Sequence, residues 1–408
     1  MEIYTVGGAV RDALLGLPIQ DRDYVVIGST PEAMVVAGFL PVGKDFPVFL
    51  HPQTHEEYAL ARTERKQGHG YKGFSVFAHP SVTLEEDLQR RDLTINAIAQ
   101  DAQGHLIDPF GGIKDLAAGI LRHVSAAFIE DPVRILRVAR FAARFGFQVA
   151  PETLQLMRQM VDQGELDFLV AERVWQEFAK GLMTREPARM IDILRACGAL
   201  ARLLPEVDAL FGVPQRADYH PEIDTGAHTL LALNYAAQQQ FTLPVRWAVL
   251  LHDVGKACTP AHILPRHFGH ESRGVPLVAA IGVRWKVPKD CQRLANFVVA
   301  NHGLIPQGKR LRSSKLLALL QRGHFLRQPE RLTWVLDACE SDTRGRLHFE
   351  EVPFPARPFW SAALAVVRGV NAQVAIAQAS TPAQIPQQIA RARLRALRQW
   401  RETLPMAV

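Results

Sequence analysis

The sequence predicts an α+β, multidomain chain: a small α/β head, an all-α neck and body, a second all-α domain and a helical tail. Three observations predict it. Short β-like runs alternate with a helix-like stretch only over residues 1–62. From about residue 84 the apolar residues recur at helical spacing instead. Breaks rich in proline, at residues 212–221 and 352–358, divide that helical remainder. The segments drawn on this pattern are 1–125, 126–222, 226–345 and 346–408.

Within the head, Glu2–Val6 reads as a buried strand and Val10–Leu15 as a helix ended by Gly16 and Pro18. Tyr24–Ile27, Val48–Leu50 and Tyr58–Ala61 read as further strands. A later helix opens at Glu130-Asp131-Pro132, with acids ahead of a proline in the first turn. The last stretch, after Pro386, reads as a basic amphipathic helix.

Composition bounds the function. The chain is 48% hydrophobic and 22% charged, as an ordinary globular protein is. No run approaches the roughly 20 apolar residues of a membrane span, and the N-terminus lacks a basic segment followed by an apolar one. A cytoplasmic protein that engages no membrane is expected. Cys197, Cys258, Cys291 and Cys339 form no CxxC pair and read as buried small hydrophobes in a reducing compartment. The net charge of +6 favours an anionic partner without naming one.

The chemistry sits in short motifs. Val6-Gly7-Gly8-Ala9-Val10-Arg11 joins a strand to a helix. Two glycines let backbone approach a phosphate, and free N–H groups at the helix start face it. The alternative is a tight turn with a surface arginine. Asp21-Arg22-Asp23 follows and leads into an apolar strand. In an extended segment residues i and i+2 share a side, so two carboxylates face one point, as a phosphate-bound magnesium pair requires. A third carboxylate is expected from a neighbouring strand, and Glu57 is the candidate.

Arg134, Arg137, Arg140 and Arg144 recur at spacings that keep them on one side of a helix. With no acid among them they repel one another unless an anion lies between them, the alternative being a solvated charged face. Farther on, His228, the adjacent pair His252-Asp253, then His267, His270, His302 and Asp342 supply N and O donors within helical sequence. Such a set suits a first-row transition metal.

Taken with Arg62-Thr63-Glu64-Arg65 and Arg90-Arg91-Asp92-Leu93-Thr94-Ile95-Asn96-Ala97, the head motifs resemble those of the class II tRNA nucleotidyltransferases. That branch of the polymerase-β superfamily includes CCA-adding enzymes and bacterial poly(A) polymerases. The resemblance covers about residues 1–210. It implies that Asp21 and Asp23 hold magnesium, that Gly8 and Arg11 contact a triphosphate, and that Arg91 lies near the nucleotide. It implies further that Asp131 and Arg134 read the edge of a base carrying an exocyclic amine, C or A, while Arg137 and Arg140 hold ribose or phosphate.

His-Asp-Val-Gly-Lys, residues 252–256, with its surrounding histidines resembles the HD superfamily of metal-dependent phosphohydrolases over residues 226–345. His228, His252, Asp253 and Asp342 are then the primary ligands, with His270 and His302 for a second metal or a phosphate. The head and the HD module in this order resemble the bacterial multifunctional CCA family. The resemblance implies tRNA, CTP and ATP as partners, nickel as the hydrolase metal, cyclic phosphates and phosphate monoesters as its substrates, and a monomer or homodimer. A poly(A) polymerase and a non-catalytic RNA-binding module remain the alternatives.

Overall fold

The computed structural model describes residues 1–42, 47–66, 74–377 and 381–404; the side chains of 64–66, 74–76, Ala372 and Ala375 lie outside this description. The chain divides into two compact units, Met1–Leu203 and Leu204–Val408.

The first unit begins with a sheet built from β1 (Glu2–Val6), β2 (Asp23–Ile27), β3 (Leu40–Val42), β4 (Val48–Leu50) and β5 (Glu57–Leu60). A separate hairpin, β6 (Arg62–Lys66) with β7 (Phe74–Ala78), follows, and then β8 (Ala99–Gln100) and β9 (Leu106–Ile107). The seven-stranded order is β3-β4-β5-β2-β1-β8-β9. Period-2 alternation works out along β2: Val25 packs with Val6, Leu88 and Ala99 on one face, and Val26 with Met34, Phe49 and Leu60 on the other.

Register carries the functional consequence. β1 runs antiparallel to β2, pairing Val6 with Asp23, and β2 runs parallel to β5, pairing Asp23 with Glu57. The strand end before the Gly-Gly turn, the aspartate and the glutamate therefore stand side by side on three adjacent strands.

The predicted strands are present, and the helix after β1 spans Gly8–Leu14. Strands β3, β8 and β9 were not expected. At two residues β8 and β9 are too short to show alternation, and Pro41 interrupts the apolar run of β3; β3 is held by pairing with β4, β8 by β1 and β9 by β8.

Helices complete the first unit, among them Val133–Phe145, Ala171–Leu182 and Pro187–Ala196. The second unit is helical throughout. It includes Thr225–Gln238, Leu243–Leu251, His270–Arg284, Lys289–Asn301 and Glu330–Arg344, around buried Trp247, Phe325 and Trp360. The helix Ile385–Glu402 packs here as well, with Trp400 5.3 Å from Phe359 between ring centroids.

Two expectations need correcting. The proline-rich break at 352–358 ends early, because a helix already runs over Ala356–Arg368. Pro358 lies in its first turn, where a missing N–H costs no helical hydrogen bond. Cys197, Cys291 and Cys339 are buried, but Cys258 is exposed. It closes the short turn Val254–Cys258, whose buried residues are Val254, Gly255 and Lys256.

Candidate active sites

The head cleft starts at Gly7. Its φ of +70° calls for glycine, and a Cβ there would lie 2.9 Å from the mobile end of Arg91. Gly8 opens the helix, where an added Cβ meets Arg11 only at an ordinary 3.5 Å. Arg11 is buried: its Nε donates to Asp12 at 2.8 Å, Nη1 donates to Asn96, and the guanidinium lies 5.0 Å from the ring centres of both Phe141 and Phe145.

One cleft of about 460 Å³ is lined by Gly8, Arg11, Asp23, Arg91, Asp131, Arg134, Arg137 and Arg140, together with Arg90, Arg144 and Arg173. Its walls carry eight arginines against four carboxylates: Asp23, Asp92, Asp131 and Glu177. A concave surface with that surplus of cations favours an anionic ligand.

Asp21, Asp23 and Glu57 line an adjoining cleft of about 510 Å³, so Asp23 faces both. Partial burial pushes the Asp23 carboxyl above its ordinary range; Arg91 opposes the shift and Asp21 adds to it. The donors here are oxygens alone, as magnesium prefers.

The arginine ridge corrects the sequence argument. Acids from elsewhere in the unit neutralise it. Arg137 donates to Asp92 at 2.7 Å, Arg140 to Glu177 at 2.6 Å and Arg144 to Asp12 at 2.9 Å. Self-repulsion therefore does not require a bound anion, and the case for one rests on the cleft's remaining positive balance. Arg134 is buried and donates to the carbonyls of Ala127 and Arg90 at 2.7 and 2.6 Å. Arg173 grips Asp131 at 2.7 Å, and Asp131 also accepts from the Val133 N–H at 3.1 Å, starting the helix that bears the ridge.

Asp92 was quoted in a motif but given no role. It is buried, accepts from Asn96 at 2.9 Å, and is held well below the usual carboxylate range although burial alone would raise it. Its position four residues before Asn96 was the available signal. Nothing in the sequence pointed to Glu177 or Arg173. The motif Arg62–Arg65 opens β6, and its Glu64 and Arg65 side chains lie outside the described residues.

In the second unit the His-Asp pair lies just past the Leu243–Leu251 helix. His228 Nε2 is 3.1 Å from Asp342 Oδ1, and His252 Nε2 is 3.7 Å from the same oxygen. Asp253 Oδ2 stands 3.1 Å from His252, while its Oδ1 stands 3.4 Å from Nε2 of both His270 and His302. Two donor triads result, His228–His252–Asp342 and Asp253–His270–His302, with Asp253 between them.

The rings are fixed from behind. The Nδ1–H groups of His252, His270 and His302 donate to the carbonyls of Val249, His267 and Val298 at 2.7, 2.8 and 3.1 Å. His228 Nδ1 is 2.8 Å from Glu222. Each Nε2 is thereby aimed inward, as histidines that hold a metal are when the other ring nitrogen is bonded from behind. His252 Nε2 and Asp253 Oδ1 are buried without hydrogen-bond partners, and Asp253 Oδ2 faces the Lys256 ammonium at 2.6 Å. Burial would lower the His252 pKa, but Asp253 and Asp342 outweigh it and push it up to about 10, so the position favours a cation. The donor set fits a transition metal.

His267 sits behind the triads, its ring bonded to Thr259 and to the Pro214 carbonyl. The sequence reading missed His220 and Glu222, which form a further group with His228. His220 falls at the end of the segment 212–221 read only as a loop, and Glu222 just after it.

Gly255 locks this arrangement. A Cβ there would lie 2.0 Å from the His270 carbonyl oxygen and 2.6 Å from the Gly274 nitrogen, both backbone atoms. Gly255→Ala is expected to destabilise the second unit by about 3 kcal/mol, read as a lowered urea midpoint. An unchanged midpoint would show that the His270–Arg284 helix yields freely.

Residues 3–122 match the family described as the poly A polymerase head domain, 146–211 the probable RNA and SrmB-binding site of polymerase A, and 225–331 the HD domain. The first unit thus carries a nucleotidyltransferase head domain, and the second an HD domain. Relatives match along the whole chain. The multifunctional CCA protein of Methylobacillus flagellatus is 61% identical, covering 97% of each chain, and that of Azoarcus sp. is 59% identical, covering 100% of this chain and 99% of its own. The chain belongs to the multifunctional CCA protein family. Two solved structures share the fold. The CCA-adding enzyme of Bacillus stearothermophilus with CTP has a TM-score of 0.64 at 23% identity, covering 98% of this chain and 89% of its own. That of Thermotoga maritima with tRNA has a TM-score of 0.63 at 21% identity, covering 97% and 87%.

Proposed function

We propose that this chain builds the CCA end of tRNA from CTP and ATP without a nucleic-acid template, and hydrolyses phosphoesters at its HD centre. One observation carries the first half: the head cleft brings Asp23, the Gly7-Gly8 turn, Asp131, Arg134 and the arginine ridge to one cavity. Full-length kinship with multifunctional CCA proteins supports the substrate assignment.

In this reading the RNA 3′-hydroxyl attacks the α-phosphorus of the bound triphosphate and pyrophosphate leaves. Asp21, Asp23 and Glu57 hold magnesium, which when bound supplies Lewis-acid stabilisation of the charge on the phosphoryl group and the leaving pyrophosphate. Gly8 and the helix start receive the triphosphate. Arg11, bonded to Asp12 and Asn96, keeps that helix in place, and Arg91 stands beside Asp23. Arg137 and Arg140 face ribose and phosphate from positions set by Asp92 and Glu177.

Base choice falls to Asp131 and Arg134. An acceptor and a donor at those positions match the amine-bearing edges of C and A, and leave U or G with unpaired buried groups. Arg134→Ala is expected to relax discrimination among CTP, ATP, UTP and GTP by about tenfold, more than it weakens triphosphate binding. Unchanged selectivity would move base reading to other residues.

At the HD centre His228, His252, Asp253 and Asp342 hold one ion, nickel in our reading, and His270 and His302 face a second ion or the substrate phosphate. The ion supplies Lewis-acid activation of water and phosphoester. Substrates proposed are 2′,3′-cyclic phosphates, 2′-nucleotides and phosphate monoesters, consistent with clearing a blocked tRNA end before CCA addition. No helix among the described residues is long and apolar enough to cross a membrane, and we assign the enzyme to the cytoplasm as a monomer or homodimer.

The deciding experiment supplies labelled CTP and then ATP to tRNA trimmed of its 3′ end. Two cytidines followed by one adenosine support the assignment, whereas adenosine addition alone would identify a poly(A) polymerase.

A further inference from the structure

The second unit holds a cavity of about 740 Å³ between the helices Lys289–Asn301 and Glu330–Arg344 and the turn that follows Arg322. None of its lining residues belongs to the donor triads or to the head clefts. Its volume lies within the range of small-molecule sites.

The lining has two chemical parts. The inner part is aromatic. Phe325 is buried and meets Phe297 edge to face, with ring centroids 5.2 Å apart at 71°, and half-buried Trp334 also lines the cavity. Among these rings Asn296 Oδ1 is buried with no hydrogen-bond partner. A buried, unpaired acceptor is costly and calls for a donor that the protein does not supply. The outer part is cationic. Arg293, Arg322 and Arg327 are exposed at the cavity, and no carboxylate partner for them stands among the described ion pairs. Arg331 differs, since it meets Asp290 at 3.4 Å.

A ligand that satisfies all three features has a flat ring to pack on the aromatics, an N–H on that ring to meet Asn296, and an anion to meet the arginines. We infer that this cavity binds a nucleotide unit, its base inside and its phosphate at the arginine rim. Aromatic faces accept any base, and arginine pairs with phosphate in a bidentate way. The amide oxygen accepts from a base N–H, such as the exocyclic amine of adenine or cytosine. The unit comes either from a free mononucleotide or from one nucleotide of an RNA seated on this face.

The test uses the full chain and the double variant Arg322→Glu/Arg327→Glu. Both positions are exposed, so the fold should be unchanged, as should CTP incorporation at saturating tRNA. The probe is the non-hydrolysable phosphonate analogue of AMP, titrated by equilibrium dialysis without added triphosphate, so that the head and HD sites contribute equally to wild type and variant. If a free mononucleotide is the ligand, the wild type binds one more equivalent than the variant, and Asn296→Leu weakens that equivalent at least about fivefold. If RNA is the source, the probe shows no such class, but the variant binds tRNA at least about tenfold more weakly at fixed salt. Asn296→Leu, which leaves the charge intact, then weakens tRNA binding too, and this separates base recognition from general electrostatics. Wild-type behaviour of the double variant toward both probe and tRNA overturns the inference. So does loss in the double variant with none in Asn296→Leu, because that result reports a charge patch alone.

Discussion

Replacing Asp21 or Asp23 with alanine is expected to lower nucleotide addition at least about a thousandfold, the scale on which a charge-stabilising group is lost from a reaction centre. The expectation follows from position. Asp23 begins β2, and the sheet register puts it between Val6, which precedes the phosphate turn, and Glu57. Asp21 lies two residues earlier and lines the same cleft as Asp23 and Glu57. Neither aspartate is used to hold the sheet together, since both line a cleft and the cores on either face are apolar. Folding and tRNA binding should therefore survive. Incorporation of labelled CTP, beside a filter-binding assay with trimmed tRNA, reads the two properties separately. Full activity in either variant would remove the magnesium assignment. Glu57→Ala tests the third carboxylate in the same assay, and a loss as large as that of the aspartates is the outcome that includes it in the trio.

At the HD centre, His252→Ala or Asp253→Ala should reduce phosphoesterase activity to background and leave CCA addition intact. Asp253 stands between the two donor triads, with one oxygen toward His252 and the other toward His270 and His302. Its loss disturbs both triads, whereas loss of His252 disturbs chiefly one. Affinity for nickel should fall in both variants by more than about tenfold, measurable by equilibrium dialysis without any activity assay. Lys256, 2.6 Å from Asp253, remains as a buried cation in Asp253→Ala, so that variant needs a check of folding by circular dichroism. Removing transition metal with a chelator while magnesium stays in excess should reproduce the variants, because oxygen-only and nitrogen-rich donor sets prefer different ions. The readouts are hydrolysis of a 2′,3′-cyclic nucleotide and CTP incorporation, run in parallel. A joint fall of both activities in a folded variant would refute the two-centre reading.

Much of this protein was legible before any coordinates. Strands β1, β2, β4 and β5 have alternating or continuous apolar runs long enough to read. The Gly-Gly turn, the Asp-x-Asp segment and the His-Asp pair are compact motifs, in which local spacing alone sets which side chains share a side. The basic helix Ile385–Glu402 was announced by its proline and its arginine spacing.

The tertiary structure decided what those groups touch. Sequence spacing put four arginines on one helix side, but Asp12, Asp92 and Glu177, which neutralise three of them, come from other elements up to 132 residues away. The pairing of Asp23 with Glu57 needed the parallel register of β2 and β5. The two triads needed five separate segments, from His228 to Asp342, to converge, and their orientation came from the carbonyls of Val249, His267 and Val298 and from Glu222. The cavity around Asn296 left no mark in the sequence at all. Local spacing determines which side of an element a residue occupies, because a strand repeats every two residues and a helix about every 3.6. Partners across elements depend on packing, which no local period encodes.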